Sequence, residues 1–349
     1  QRNISATMQR RQISKETSRQ QCSGGKSAKK HLGNNAAEAN RRRNILATMQ
    51  RRQIGKETSR NNQSKLCFSS RFALSLLQQN QQKQYKSHTI MSTIIYDKVV
   101  FGPIHSRRLG ISLGVNLLPT DGKRCSFNCI YCECGLNEQH PTRAPFPTRE
   151  EVKRALTEKL EEMKLDKMAP DVITFAGNGE PTLHPDFEAI IDDTIALRNL
   201  YFPKAKIAVL SNSTMIEHES VFRALNKVED NLMKLDSVLD RRIGQIDQPQ
   251  QPSFSFEKLL PQLCRFNGNL IIQTMFLKGT VKGESVDNTT EAEVSGFVEA
   301  MKKIRPKEVM LYTIDRETPY EGLEKIPFAQ LNAIAEKVRA LGIPTTVSA

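Results

Sequence analysis

Residues 112–132 read SLGVNLLPTDGKRCSFNCIYC. The first seven, Ser112 to Leu118, are a short apolar run of the kind that makes a strand buried on both faces. Pro119 ends the run and opens a loop that continues to about Pro147. That is far longer than the ~2–6 residues usual between a strand and the next helix, and connections of such length tend to carry function. Within it stand Cys125, Cys129 and Cys132. Three thiolates at that spacing can converge on one centre, and thiolate sulfur suits zinc and iron–sulfur clusters. A closed zinc site takes four ligands. Cys134 is the only further thiol nearby, and no second Cys-x-x-Cys follows. Three cysteines on a cubane cluster leave one iron open to a small molecule.

Downstream of the loop, apolar runs and amphipathic stretches alternate. Strands are expected at Val172 to Ala176, Lys206 to Ser211, Asn231 to Leu235, Asn269 to Met275 and Glu308 to Thr313. Thr148 and Glu151 make a capping box, after which Val152, Leu156, Leu160 and Met163 share one helical face. A later helix uses Val294, Phe297, Val298 and Met301. The last uses Leu331, Ile334, Val338 and Leu341, with Gly342 as its cap. Six strands with crossover helices predict an α/β fold with a parallel sheet, either doubly wound or a partial (β/α)6 barrel with outer helices. In both architectures a ligand sits at the carboxyl ends of the strands.

The chain has 51 Lys and Arg against 38 Asp and Glu, a net charge of +13. Of these, 19 basic and 3 acidic residues lie before residue 91, leaving 32 against 35 beyond it. The basic character therefore belongs to the first part of the chain, and it gives no reason to expect nucleic-acid binding by the rest. Residues 1–19 return as 42–60 with 16 of 19 positions matching, but two copies with few large apolar residues do not make a solenoid. Rich in Gln, Asn, Ser and Lys, residues 1–90 are expected to be a disordered basic tail. The folded catalytic part is expected over 91–349. Met91 would be its natural start, and the Arg- and Ser-rich, acid-poor tail also has the composition of a transit peptide. Seven cysteines, four of them within ten residues, suit metal ligation in a reducing, cytoplasmic setting better than a disulfide framework. No apolar run approaches the ~20 residues of a membrane span.

The cysteine spacing after a first strand resembles the radical S-adenosylmethionine superfamily. Further residues carry the resemblance. The second strand runs into Gly177-Asn178-Gly179-Glu180-Pro181, similar to the family's glycine–glutamate segment. The third ends at Ser211-Asn212, the fourth carries Lys234-Leu235-Asp236, and the fifth carries Gln273-Thr274. The likeness runs from about Phe101 to Thr313, with its motifs in the family's order. It implies a [4Fe–4S] cluster on Cys125, Cys129 and Cys132. It implies S-adenosylmethionine held by Tyr131, Gly177, Asn178, Gly179, Glu180, Ser211, Asn212 and Gln273. It also implies an electron donor of flavodoxin or ferredoxin type. Gly102 to Gly110, then Ser112 to Asn116, resembles the opening of a subgroup related to wyosine-type tRNA-modifying enzymes, and Gln248 to Phe256 resembles a later segment of that subgroup.

The substrate would then be a tRNA base or a partner protein that receives a radical. A zinc- or RNA-binding module with a basic tail is the reading from a different class. Arg107 and Arg108 suit either an anionic substrate or ion pairing. Lys234 and Asp236 suit either cofactor contact or an interior ion pair. His184 is expected in local turn bonding, Cys264 in the core, Cys134 beside the cluster without a role, and Cys22 and Cys67 without a role.

Overall fold

In the computed structural model, residues 93–106 and 109–349 are described. The expected tail, with Cys22 and Cys67, and the pair Arg107 and Arg108 lie outside them. β1 (Val100–Ser106) pairs antiparallel with β2 (Gly110–Val115). Next come α1 (Arg149–Leu165), β3 (Val172–Phe175), α2 (Phe187–Tyr201), β4 (Lys206–Ser211), α3 (Glu219–Lys227) and β5 (Asp230–Lys234). Two short helices follow, α4 (Asp240–Ile246) and α5 (Phe256–Cys264), before β6 (Ile271–Met275). The chain continues through β7 (Leu277–Val281), β8 (Glu284–Asp287), α6 (Glu291–Ile304), β9 (Glu308–Tyr312) and β10 (Leu323–Lys325), and ends with α7 (Phe328–Arg339) and β11 (Thr345–Ser348).

The main sheet has the order β1-β2-β3-β4-β5-β6-β9-β11. From β2 to β11 every pairing is parallel, and the edge strands β1 and β11 do not pair with each other. The fold is thus a partial α/β barrel, open between its edges. The six expected strands are its centre. Both faces are buried, as their apolar runs require. Ile173, Phe175, Ile207, Val209, Met233, Ile272 and Val309 pack under the helices. Val172, Ala208, Leu232, Ile271 and Met310 form a smaller cluster on the other face.

The helices follow their sequence logic. Thr148 accepts from the Glu151 backbone and Glu151 reaches back to the Thr148 N–H, completing the capping box of α1. Val152, Leu156, Leu160 and Met163 are its buried face. In α6, Val294, Phe297 and Met301 are buried, and Val298 packs at the margin. In α7, Leu331, Ile334 and Val338 are buried, and Gly342 adopts φ 78° two residues past the cap at Ala340. Cys264 ends α5, half-buried against the core.

Three parts of the fold go beyond the expectation: β1, β11 and a second sheet, β10-β7-β8. The second sheet grows from the end of β6. Its hairpin turns at Lys282 and Gly283, both with positive φ (52° and 84°), as a two-residue turn that matches strand twist demands. Among the described residues no helix is long and apolar enough to cross a membrane.

Candidate functional site

The site lies where the barrel theory of such sheets puts it, at the carboxyl ends of β2 to β6. The long loop after β2 folds back over those ends. Asn116 shapes its start: its side chain bonds Leu118 through both backbone groups and accepts from the Asn178 N–H at 3.1 Å. The cysteine segment is then fixed from two sides. On one side, the Arg124 N–H donates to the Asn178 carbonyl (2.8 Å), and the Glu180 N–H donates to the Arg124 carbonyl (3.2 Å). On the other, Asn128 and Ile130 donate to the carbonyls of Asp247 and Ile246 at the end of α4, each at 2.9 Å. The Gln250 N–H, in the segment singled out after the fourth strand, donates to the Ser126 carbonyl at 2.8 Å. Asn137 spans the loop from within, donating to the carbonyls of Cys125 and Phe127.

A cavity of about 310 Å³ opens inside this frame. Cys125, Cys129, Cys132 and Cys134 line it, together with Tyr131, Gly177, Gly179, Glu180, Ser211, Asn212 and Gln273. All the expected site residues but one therefore face a common space. The exception is Asn178. Its side chain turns away, accepting from the Tyr96 N–H and donating to the carbonyls of Tyr96 and Pro119 at 2.8 to 2.9 Å. Its place in the glycine segment serves to anchor neighbouring backbone.

The two glycines are explained locally. Gly177 (φ 137°) leaves a Cβ position 2.6 Å from Asn116 Oδ1, and Gly179 (φ 138°) leaves one that the Arg124 carbonyl fills. Buried Glu180 accepts from Thr182 with one oxygen and from the Asn212 N–H with the other (2.6 Å). Burial pushes its carboxyl up, and these hydrogen bonds oppose the rise. Asn212 Nδ2 donates to Ser126 Oγ (2.9 Å) and reaches Cys125 Sγ (3.6 Å). His184 holds the turn behind the segment: Nε2 meets the Pro147 carbonyl at 2.7 Å, and Nδ1 accepts from the Asp186 N–H.

Beside Cys129 sits a buried charge network. Lys234 Nζ is 3.3 Å from Asp236 Oδ2 and 3.7 Å from Cys129 Sγ, and it bonds the Tyr131 hydroxyl. Tyr131 donates to Asp236, whose other oxygen accepts from the Met275 N–H at 2.8 Å. Lys234 and Asp236 thus form an interior ion pair. Tyr131, expected near the cofactor, turns its hydroxyl into this network. Cys129 donates to Asp247 at 3.5 Å, and burial beside Asp236 holds the Asp247 carboxyl well above its usual range.

Burial lifts the Cys125 thiol to about 11 and raises Cys129 as well. The Cys134 thiol has one hydrogen and two acceptors in reach, the Gly177 carbonyl at 3.3 Å and the Cys132 sulfur. Its bond to Cys132 holds that thiol well below the ordinary value. Thiolates in so dry a place need a cation, and a bound metal supplies it. Among the described residues no three His, Cys, Asp or Glu are gathered tightly enough for a single metal ion. Three cysteine thiols lining one cavity suit a cluster, which takes its ligands at separate corners. Nothing in the spacing of Asp247, Asn137 and Tyr312 sets them apart in the sequence.

The model of the "Radical SAM superfamily" matches residues 120–238. UPF0026 proteins of two Helicobacter pylori strains are 30% and 31% identical over 231 residues, which cover 64% of this chain and 68% of theirs. A Brachyspira hyodysenteriae protein named GTPase Obg is 30% identical over 229 residues, and there the match spans 31% of the relative's length. A radical SAM methyltransferase structure from Sphaerobacter thermophilus shares the fold at a TM-score of 0.50 and 14% identity, covering 68% of this chain and 65% of that one. With its thiols, its glycine–glutamate segment and its strand-end residues in one cavity, the chain belongs to the radical SAM superfamily, whose members use a [4Fe–4S] cluster and S-adenosylmethionine, and within it to the UPF0026 proteins.

Proposed function

We propose that the chain is a radical S-adenosylmethionine enzyme that abstracts a hydrogen atom from a base of tRNA. The observation that carries the chemistry is the common cavity of Cys125, Cys129, Cys132, Glu180 and Asn212. Cys125, Cys129 and Cys132 would hold the cluster, and Glu180, Ser211, Asn212 and Gln273 would hold S-adenosylmethionine. When bound, the group would supply the reductive cleavage of S-adenosylmethionine and, through it, hydrogen-abstracting chemistry. Glu180, with oxygens fixed by Thr182 and Asn212, can accept from a ligand ammonium group. Gly177 and Gly179 keep that wall of the cavity free of side chains. Phe127, Met275 and Tyr312 line it with apolar surface that limits water around a reactive radical.

The choice of tRNA rests on the likeness of Gly102 to Asn116 and of Gln248 to Phe256 to the wyosine-type subgroup. The test is anaerobic reconstitution followed by incubation with S-adenosylmethionine and a reductant. The wild type should release 5′-deoxyadenosine, faster with bulk tRNA, and Cys129→Ala should release none. A Cys129→Ala chain that kept a reducible cluster and full turnover would overturn the chemistry. Turnover indifferent to tRNA would overturn the substrate.

A further inference from the structure

A second cavity of about 310 Å³ opens between the loop after β4 and the segment that leads into α5. It shares a wall with the first, made of directly bonded side chains. Asn212, which lines the first cavity, accepts through Oδ1 from the hydroxyl of Thr214, which lines the second, at 2.7 Å. Asn212 Nδ2 donates to Ser126 Oγ at 2.9 Å, and Ser126 Oγ stands 2.6 Å from Thr214 Oγ1. The Thr214 hydroxyl gives its one hydrogen to Asn212, so Ser126 donates to Thr214 and the three bonds close a ring. Ser213, between Asn212 and Thr214, adopts φ 67°, a left-handed turn of the kind that gathers at functional sites. Farther along, Phe127 of the first cavity meets Phe254 of the second edge to face, with ring centroids 5.2 Å apart.

The lining of the second cavity suits a flat, uncharged ligand with polar edges. Ile216 and Leu259 are buried and Phe254 is half-buried, which gives apolar surface for a ring and none for a hydrated ion. One cation and one anion, Lys258 and Glu217, stand exposed in the lining, and together they leave no net charge to draw a free phosphate or carboxylate. Two glutamines supply polar contacts. Gln262 Oε1 accepts from Arg265 at 2.8 Å, which leaves its NH2 group to donate. Gln251 Nε2 donates to Ser253 Oγ at 3.1 Å, which leaves its oxygen to accept. A donor and an acceptor beside an aromatic ring are the means by which proteins read an unstacked nucleobase. The volume lies at the small end of the ~300–1,000 Å³ of ligand sites and suits one base.

We propose that the second cavity holds the base next in sequence to the one that reacts. The enzyme then grips two neighbouring nucleosides of one RNA strand, one on each side of the wall of Asn212, Ser126 and Thr214. This rests on the reading of a tRNA base as the substrate. Neighbours in a duplex lie ~3.4 Å apart along the strand, too close to straddle a wall of side chains. The stretch that binds is therefore single-stranded and unstacked.

The test is release of 5′-deoxyadenosine by the full chain, reconstituted anaerobically, with bulk tRNA varied. Phe254→Leu removes the ring and keeps an apolar side chain, and Gln262→Leu removes the donor. Each should raise the KM for tRNA about tenfold, the scale of losing one base contact. The loss should be equal at low and high salt, since neither side chain meets a phosphate. Urea midpoints report folding, and if Phe254→Leu unfolds, Gln262→Leu on half-exposed α5 decides alone. An unmoved KM for tRNA in a folded variant would overturn the subsite. So would a raised KM for S-adenosylmethionine with none for tRNA, which would give the cavity to the cofactor. A loss that fades with salt would mark a phosphate contact and overturn it too. A wild type whose release ignores tRNA would overturn the tRNA reading and the subsite together.

Discussion

The backbone carbonyl of Arg124 occupies the space that a Cβ on Gly179 would need. The bridge between these residues joins the cysteine loop to the segment after β3. Gly179→Ala is therefore expected to do more than strain a backbone at φ 138°. It should separate the two walls of the cavity, lowering stability by about 1–3 kcal/mol for the strained conformation alone. Urea unfolding and iron content after reconstitution check this. Both should fall together, whereas Gly244→Ala, inside α4 with nothing near its Cβ position, should lower neither.

Asp236 is the partner on which the buried Lys234 depends. Asp236→Ala leaves that ammonium with the Tyr131 hydroxyl and the Cys129 sulfur as close contacts and should cost about 3–5 kcal/mol, the range for breaking a buried pair. Replacing both, as Lys234→Met with Asp236→Leu, should cost less than the single change. Denaturant midpoints of the three variants decide it, and a double variant weaker than Asp236→Ala would count against the pair as described.

Leu160 is fully buried on the core face of α1. Leu160→Ala should destabilise by about 2–5 kcal/mol through lost burial and the space left behind. Leu165, 83% exposed at the end of the same helix, should tolerate Ala with little change. Thermal unfolding of the two variants gives the comparison.

Acid should weaken the ties between helices. Arg223 and Lys227 on α3 both meet Glu188 on α2, and Arg223 above all holds its carboxyl down at about 2. A carboxylate depressed in the folded state stabilises above its unfolded value, near 4.5, and that contribution is lost as pH falls towards about 2. The Arg223→Ala variant should therefore be less stable than the wild type near neutrality, with the gap narrowing below pH 4. Because the pair is exposed, added salt should shrink the gap as well. Urea midpoints across pH measure both effects.

The legible parts of this protein were those with strong local patterns. Apolar runs bounded by turns marked β3, β4, β5, β6 and β9 to within a residue or two, since strands buried on both faces have little freedom in composition. The capping box at Thr148 fixed the start of α1. β11, only four residues long, and the charged hairpin of β7 and β8 have no such pattern, and they form because a partner strand is already in place. At the site, cysteine spacing and the glycine segment were enough to gather most of the lining. Asn178 shows the limit: it stands in the glycine segment, but the direction of its side chain depends on Tyr96, more than eighty residues away in the chain.

The hydrogen bonds that clamp the cysteine loop run through Arg124, Asn128, Ile130 and Asn137, and none of them uses a sulfur. The mould for the inorganic centre thus rests on bonds that do not involve the sulfurs. A chain stripped by oxygen should keep that mould, so that repair becomes a matter of resupplying iron and sulfide to a standing site, with no need for the protein to be made again.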